Sequence, residues 1–264
     1  MSRLLFLVPA LALPAASAVD LKPAAPKVTA YSFSVTKPAP DDDVFSRLDA
    51  GTFVGVLVEV PGKFVIGLDP RKCTLDAFTD DKGTNLRVPV DRNLSTFTRV
   101  TDDAFGSPDN GKYVKAVFRA PRCPAAGATK VRVKGKVAVL VGRAERQVEK
   151  KNVSLKAGAE FEFGLFKLQD PVAGMPAIPP SVDYRGTKAV KLAVFLDPAG
   201  AEVAMRRSST GGLRNAGRLK AEYSAIFHPA RFGKTPDRCT LRVTYFDEVE
   251  PVTVPIDLEV GPGL

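Results

Sequence analysis

The groups in this sequence that could do chemistry are few: one histidine (His228), three cysteines (Cys73, Cys123 and Cys239) and two acidic clusters. A Ser-His triad needs a nucleophile on a sharp strand-to-helix turn, and no G-x-S-x-G segment supplies one. His228, between Phe227 and Pro229, therefore reads as a strand-edge residue without a catalytic role. Cys239 opens the strand-like run Cys239-Thr240-Leu241, where a thiol behaves as a small apolar side chain. No C-x-x-C pair or Cys/His cluster is present, so no zinc site is expected. Asp76, Asp80 and Asp81 lie close together but lack the alternating oxygen ligands and distal Glu of a calcium loop. Asp80-Asp-Lys-Gly83 suits a hairpin turn closed by glycine instead. The acidic stretch Asp102-Asp103 to Asp109-Asn110-Gly111 likewise satisfies an ordinary turn. Ser208-Ser209-Thr210-Gly211-Gly212 has the small residues of a phosphate cradle, but no helix is expected after it, so it reads as a flexible basic loop. No catalytic residue, metal or cofactor is assigned. A carboxylate pair drawn from distant strands leaves no local signature, which keeps a secreted hydrolase as the alternative to a non-catalytic protein.

Cations carry the clearest chemical pattern. The chain holds 38 Lys and Arg against 29 Asp and Glu, a net charge of +9. Lys130, Arg132, Lys134 and Lys136 alternate with Val131 and Val133, which places them on one face of a strand. Arg206, Arg207 and Arg214 add a second basic stretch. Together they form a candidate face for an anionic envelope polymer, bound by salt-sensitive electrostatics. A solvated face that resists edge pairing is the plainer alternative. Sugar stacking is weakened by the absence of Trp, and four of the five tyrosines fall in expected strands, with Tyr184 alone in a loop-like context.

The elements that must position these groups are strands. Tyr31-Ser-Phe-Ser-Val35, Phe53-Val-Gly-Val-Leu-Val58, Lys130-Val-Arg-Val133 and Leu241-Arg-Val-Thr-Tyr245 alternate with a period of two and are bounded by Gly, Pro and Asp. With 45% apolar and 25% charged residues, the 264-residue chain has the composition of a globular protein. The expectation is all-β: two tandem immunoglobulin-like antiparallel β-sandwiches.

Tandem organisation rests on collinear matches. Phe78-x-Asp80-x-x-Gly83 answers Phe195-x-Asp197-x-x-Gly200, Tyr31–Val35 answers Phe161–Leu165, and Val131-Arg-Val133 answers Leu241-Arg-Val243. The expected division is a first domain over 19–158 and a second over 159–264. The Pro-rich stretch Asp170–Ser181 is placed as the first long loop of the second copy, because Lys37-Pro-Ala-Pro40 occupies that place in the first.

Residues 1–18 read as a secretory signal peptide. Arg3 precedes the apolar run Leu4–Leu13, and Ala16-Ser17-Ala18 is the cleavage motif. Ten apolar residues are too few to span a bilayer, so no transmembrane segment is expected in the mature chain. The protein is expected to be secreted or periplasmic, where disulfides form, and Cys73 with Cys123 is the candidate pair. A nucleic-acid partner is not expected for an exported chain without interleaved aromatic residues. Another envelope protein is the alternative partner to an anionic polymer.

Three blocks, Leu75–Thr84, Thr129–Gly135 and Val243–Gly261, resemble uncharacterised secreted tandem β-sandwich proteins of planctomycete-type bacteria. At the level of fold the copies look like immunoglobulin or fibronectin type III domains, without the Cys…Trp…Cys hallmark. The resemblance implies export and a β-sandwich but carries no activity or site residue. It leaves the expectation of an exported, non-catalytic binding or structural module of the bacterial envelope.

Overall fold

The computed structural model describes residues 24–37, 51–87, 99–102, 111–169, 181–203, 205–215, 218–227 and 238–261. These residues are all-β, without an α-helix. In chain order the strands are β1 (Lys27–Thr36), β2 (Gly51–Glu59), β3 (Val65–Leu68), β4 (Thr74–Asp80), β5 (Arg99–Asp102), β6 (Tyr113–Ala120) and β7 (Val131–Val153). They continue as β8 (Ala159–Phe161), β9 (Gly164–Gln169), β10 (Ser181–Gly186), β11 (Ala189–Leu196), β12 (Met205–Asn215), β13 (Arg218–Phe227) and β14 (Cys239–Val260).

Strand order in the second half repeats that of the first. A four-stranded sheet runs β1-β2-β6-β5, and within a ten-stranded sheet β9-β10-β13-β12 follow the same order. β4 pairs antiparallel with β7 as β11 pairs with β14. The exceptions are β8, an added strand beside β9, and β3, which has no counterpart because only Thr187 and Lys188 separate β10 from β11. β3 pairs with β7 and, in parallel, with β12, so it ties the two halves together.

Two apolar cores result, and both long strands serve both. β7 and β14 pair antiparallel from Val131 opposite Val260 to Val153 opposite Cys239. The first core holds Val54, Val56 and Val58 of β2, Ala116 and Phe118 of β6, and Phe78 of β4 against Val131, Val133 and Val139 of β7. It also takes Val254, Ile256 and Val260 from the far end of β14. The second core packs Phe166, Tyr184 and Tyr223 against Phe195, Leu241 and Val243, and takes Val153 from the far end of β7. A cut at residue 158 would therefore separate Val254, Ile256 and Val260 from the core they fill. Mid-strand, Val137–Val141 are all buried because opposite faces feed different cores: Leu140 belongs to the second, Val137, Val139 and Val141 to the first. A strand covered on both faces loses its polar alternation.

Several local expectations are corrected. Ser208–Gly212 is not a loop but part of β12, whose backbone pairs with β13 from Met205–Phe227 to Asn215–Arg218. Tyr184 is not loop-like: it lies in β10, 1% exposed, and its hydroxyl donates to Lys188 O at 2.7 Å. Burial pushes its pKa up to about 12. Phe161–Leu165 is not one strand, since β8 ends at Phe161 and β9 begins at Gly164. Cys73 and Cys123 are not joined in the expected disulfide. Cys73 Sγ accepts the Ala138 N–H at 3.3 Å beside β7, whereas the Cys123 thiol faces Thr36 O at the end of β1. Cys239 is buried in the second core, and burial raises its pKa to about 11. His228 and the stretch 170–180 lie outside the described residues.

Candidate functional site

The acidic hairpin is occupied with its own backbone. Asp80 Oδ1 accepts from the N–H groups of Lys82 (3.0 Å) and Thr84 (2.8 Å), and Oδ2 from Ala125 N–H at 2.7 Å. Burial alone would raise the Asp80 pKa, but these donors outweigh it and hold the carboxyl below its usual value. Asp81 is held low by the hydroxyl and N–H of Thr129, at 2.6 and 3.1 Å. Both carboxylates thus pin the 125–129 loop. No group of three or more His, Cys, Asp or Glu side chains among the described residues could hold a metal ion.

The strand face expected to be basic is only partly so. Arg132, Lys134 and Lys136 do alternate as exposed positions of β7, and Lys130 is exposed just before it. The neighbouring strand was the missing information. β14 sets Glu259 opposite Arg132 and Asp257 opposite Lys134. Arg132 is bound by Asp257 through two hydrogen bonds of 2.8 Å, a fork-to-fork pairing that raises the Arg132 pKa and lowers that of Asp257. Arg206, Arg207 and Arg214 belong to β12, separated from β7 by β3; their side chains lie outside the described residues. Of the seven expected cations, the described side chains are those of Lys130, Arg132, Lys134 and Lys136.

A different cationic site forms where the halves meet. An open groove of about 600 Å³ is lined by Gly62, Lys63, Phe64, Gly111, Lys112, Gly142, Arg143, Ala144, Glu145, Lys191 and Phe246. Its first wall comes from the turn between β2 and β3, where Lys63 N–H donates to Val60 O at 3.1 Å. Phe64 is anchored on either side: Val65 N–H donates to Gly111 O at 2.6 Å, and Gly142 N–H to Phe64 O at 2.9 Å. The Phe64 and Phe246 rings meet with centroids 5.0 Å apart and planes inclined at 43°. They lie so close over Gly111 and Gly142 that a Cβ at either glycine would collide with a ring, and Gly111 also has φ +81°.

Charge in the groove is unbalanced. Lys191 pairs with Glu145 at 2.6 Å, and Arg143 with Glu250 at 2.9 Å. Lys63 and Lys112 are exposed and form no ion pair among the described residues. Two unspent ammonium groups beside a pair of aromatic rings can hold an anion that also offers an apolar or sugar-ring face. Sequence reading missed Lys63, Phe64, Lys112, Lys191 and Phe246 because they come from four separate segments. The legible signal was that residues 60–72 have no equivalent in the second copy, so the groove stands where the internal repeat is broken.

No helix among the described residues is long and apolar enough to cross a membrane. No protein-family model, curated protein or solved structure matches the chain.

Proposed function

We propose that the chain is an exported, non-catalytic binding module of the bacterial envelope, built as two tandem immunoglobulin-like sandwiches, and that it holds an anionic polymer in the groove between them. The observation that carries this reading is the pairing of Lys63 and Lys112 with the Phe64–Phe246 rings in an open groove. Export is supported by the signal-like sequence of residues 1–18, and the tandem sandwiches by the repeated strand order. An open groove with two unpaired cations suits a polyanion better than a small ligand, because it offers positive charge and little enclosure.

The test uses polygalacturonate as an acidic probe and dextran as its neutral counterpart, titrated against residues 19–264. The polyanion should bind and dextran should not, with affinity falling as salt rises toward about 0.15 M. Lys63→Glu with Lys112→Glu should weaken binding by about tenfold or more. Lys134→Glu with Lys136→Glu, on the partly neutralised face of β7, should change it far less. Equal binding of both polymers would sink the reading; loss through the β7 pair alone would move the site to that face.

A further inference from the structure

Sheet edges in this fold are mostly covered from within. After the turn at Gly83 the chain returns along β4, where Leu86 N–H donates to Phe78 O at 2.8 Å and the Arg87 guanidinium donates to Asp76 O. β11 is covered in the same manner, with Val203 N–H donating to Phe195 O at 2.7 Å. β9 is covered by β8, which pairs with it from Ala159–Phe166 to Phe161–Gly164. Among the described residues the edges left open are three-residue β8, four-residue β5, and β1.

β1 differs from the other two. It is ten residues long, its one strand partner among the described residues is β2, and Tyr31 and Val35 are 36% and 37% exposed. From Val28 to Thr36 it carries no charge and no proline, the devices by which exposed edges are usually guarded. β1 and β9 hold the same place in the two halves, and β9 has an antiparallel strand on this edge. The fold therefore accepts a strand here.

We infer that β1 is a homodimerisation edge, pairing antiparallel with β1 of a second copy to join two four-stranded sheets into one of eight. An isologous two-fold places an uncharged segment against itself, so no charge is stranded at the centre. A register centred on Ser32 would oppose Lys27 to Lys37 of the second copy, which is unfavourable. Stagger toward the amino-terminal end brings in Pro26, which has no N–H to donate. A register shift between Ala30 and Ser32 also marks a bulge on that side. A register that overlaps residues 31–37 avoids all three, with Ser34 facing Ser34 of the second copy. Such a dimer presents two grooves to one polymer, which adds avidity without a new contact.

Sedimentation of residues 19–264 across the micromolar range tests this. The wild-type protein should pass from monomer to dimer. Ser34→Lys and Ser34→Glu, each on an exposed side chain, should both stay monomeric while melting like the wild type. An equimolar mixture of the two variants should dimerise again, because opposite charges then meet at the axis. A wild-type protein that stays monomeric overturns the inference. So does a dimer that survives both variants, or a mixture that fails to recover.

Discussion

The two F-x-D-x-x-G hairpins make the same turn and do different work. Both glycines have left-handed φ, +83° at Gly83 and +85° at Gly200. Both aspartates accept the N–H four residues on, Thr84 at 2.8 Å and Ala201 at 2.9 Å. Both phenylalanines are buried, Phe78 at 0% and Phe195 at 1% exposure. Asp80 and Asp81, however, also reach across to Ala125 and Thr129, whereas the second hairpin has Pro198 in place of Asp81. One local sequence signal thus specifies the turn, while the reach of Asp80 to Ala125 and the additional acid Asp81 make the first hairpin a clamp on a distant loop.

Truncating the two phenylalanines gives the largest effect. Phe78→Ala and Phe195→Ala should each cost about 3–5 kcal/mol, the range for deleting a buried aromatic ring. Because β7 and β14 run through both cores, neither half can lose its packing without unravelling strands of the other. Calorimetry should show one transition, shifted by either substitution to a similar extent. Two resolved transitions, each moved by one variant alone, would break the comparison by showing that the halves unfold separately.

The aspartates sharpen it. Asp80→Ala removes the acceptor of three backbone N–H groups and should cost about 2–3 kcal/mol, against about 1 kcal/mol for Asp197→Ala with its single such bond. pH adds a sign. The Asp80 pKa is lowered on folding, so its stabilisation is present above the unfolded value near 4 and disappears as pH falls through the folded value. Tyr184 and Cys239 behave oppositely. Their pKa values rise to about 12 and about 11, so stability of the second core is intact below the unfolded values and is lost as pH climbs through the folded ones. Denaturation midpoints across pH should show the Asp80→Ala penalty shrinking in acid, and Tyr184→Phe should soften the alkaline loss.

These contrasts also show what the sequence carried. All-β structure was legible because Val131, Val133, Phe78 and Leu241 alternate with polar residues on strands covered on one face. The glycine-closed turn was legible because it is local. The cationic groove was not, since Lys63, Lys112, Lys191 and Phe246 converge only through strand pairing. Neutralisation of Arg132 was hidden for the same reason: Asp257 lies 125 positions away and becomes a neighbour only in the β7–β14 register. The expected Cys73–Cys123 bridge failed because spacing along a chain says nothing of which way two thiols face.

The smallest effect concerns the shared ribbon itself. β7 contains two non-glycine residues with left-handed backbone, Ala144 and Asn152, each at φ +53°. Asparagine adopts that conformation readily, because its side chain can bond to the nearby backbone. Alanine does not, and its Cβ crowds the following carbonyl at a cost of about 1–2 kcal/mol. Glycine relieves the crowding but gives back part of the gain in unfolded-state entropy. Ala144→Gly should therefore raise stability by about 0.5–1 kcal/mol, while Asn152→Gly should shift it by only about 0.3 kcal/mol. Urea denaturation of both variants separates them. Ala144 also lines the groove between Arg143 and Glu145, so a stabilised Ala144→Gly that binds polygalacturonate less tightly would show that the alanine is kept to fix the groove's shape at the expense of the strand.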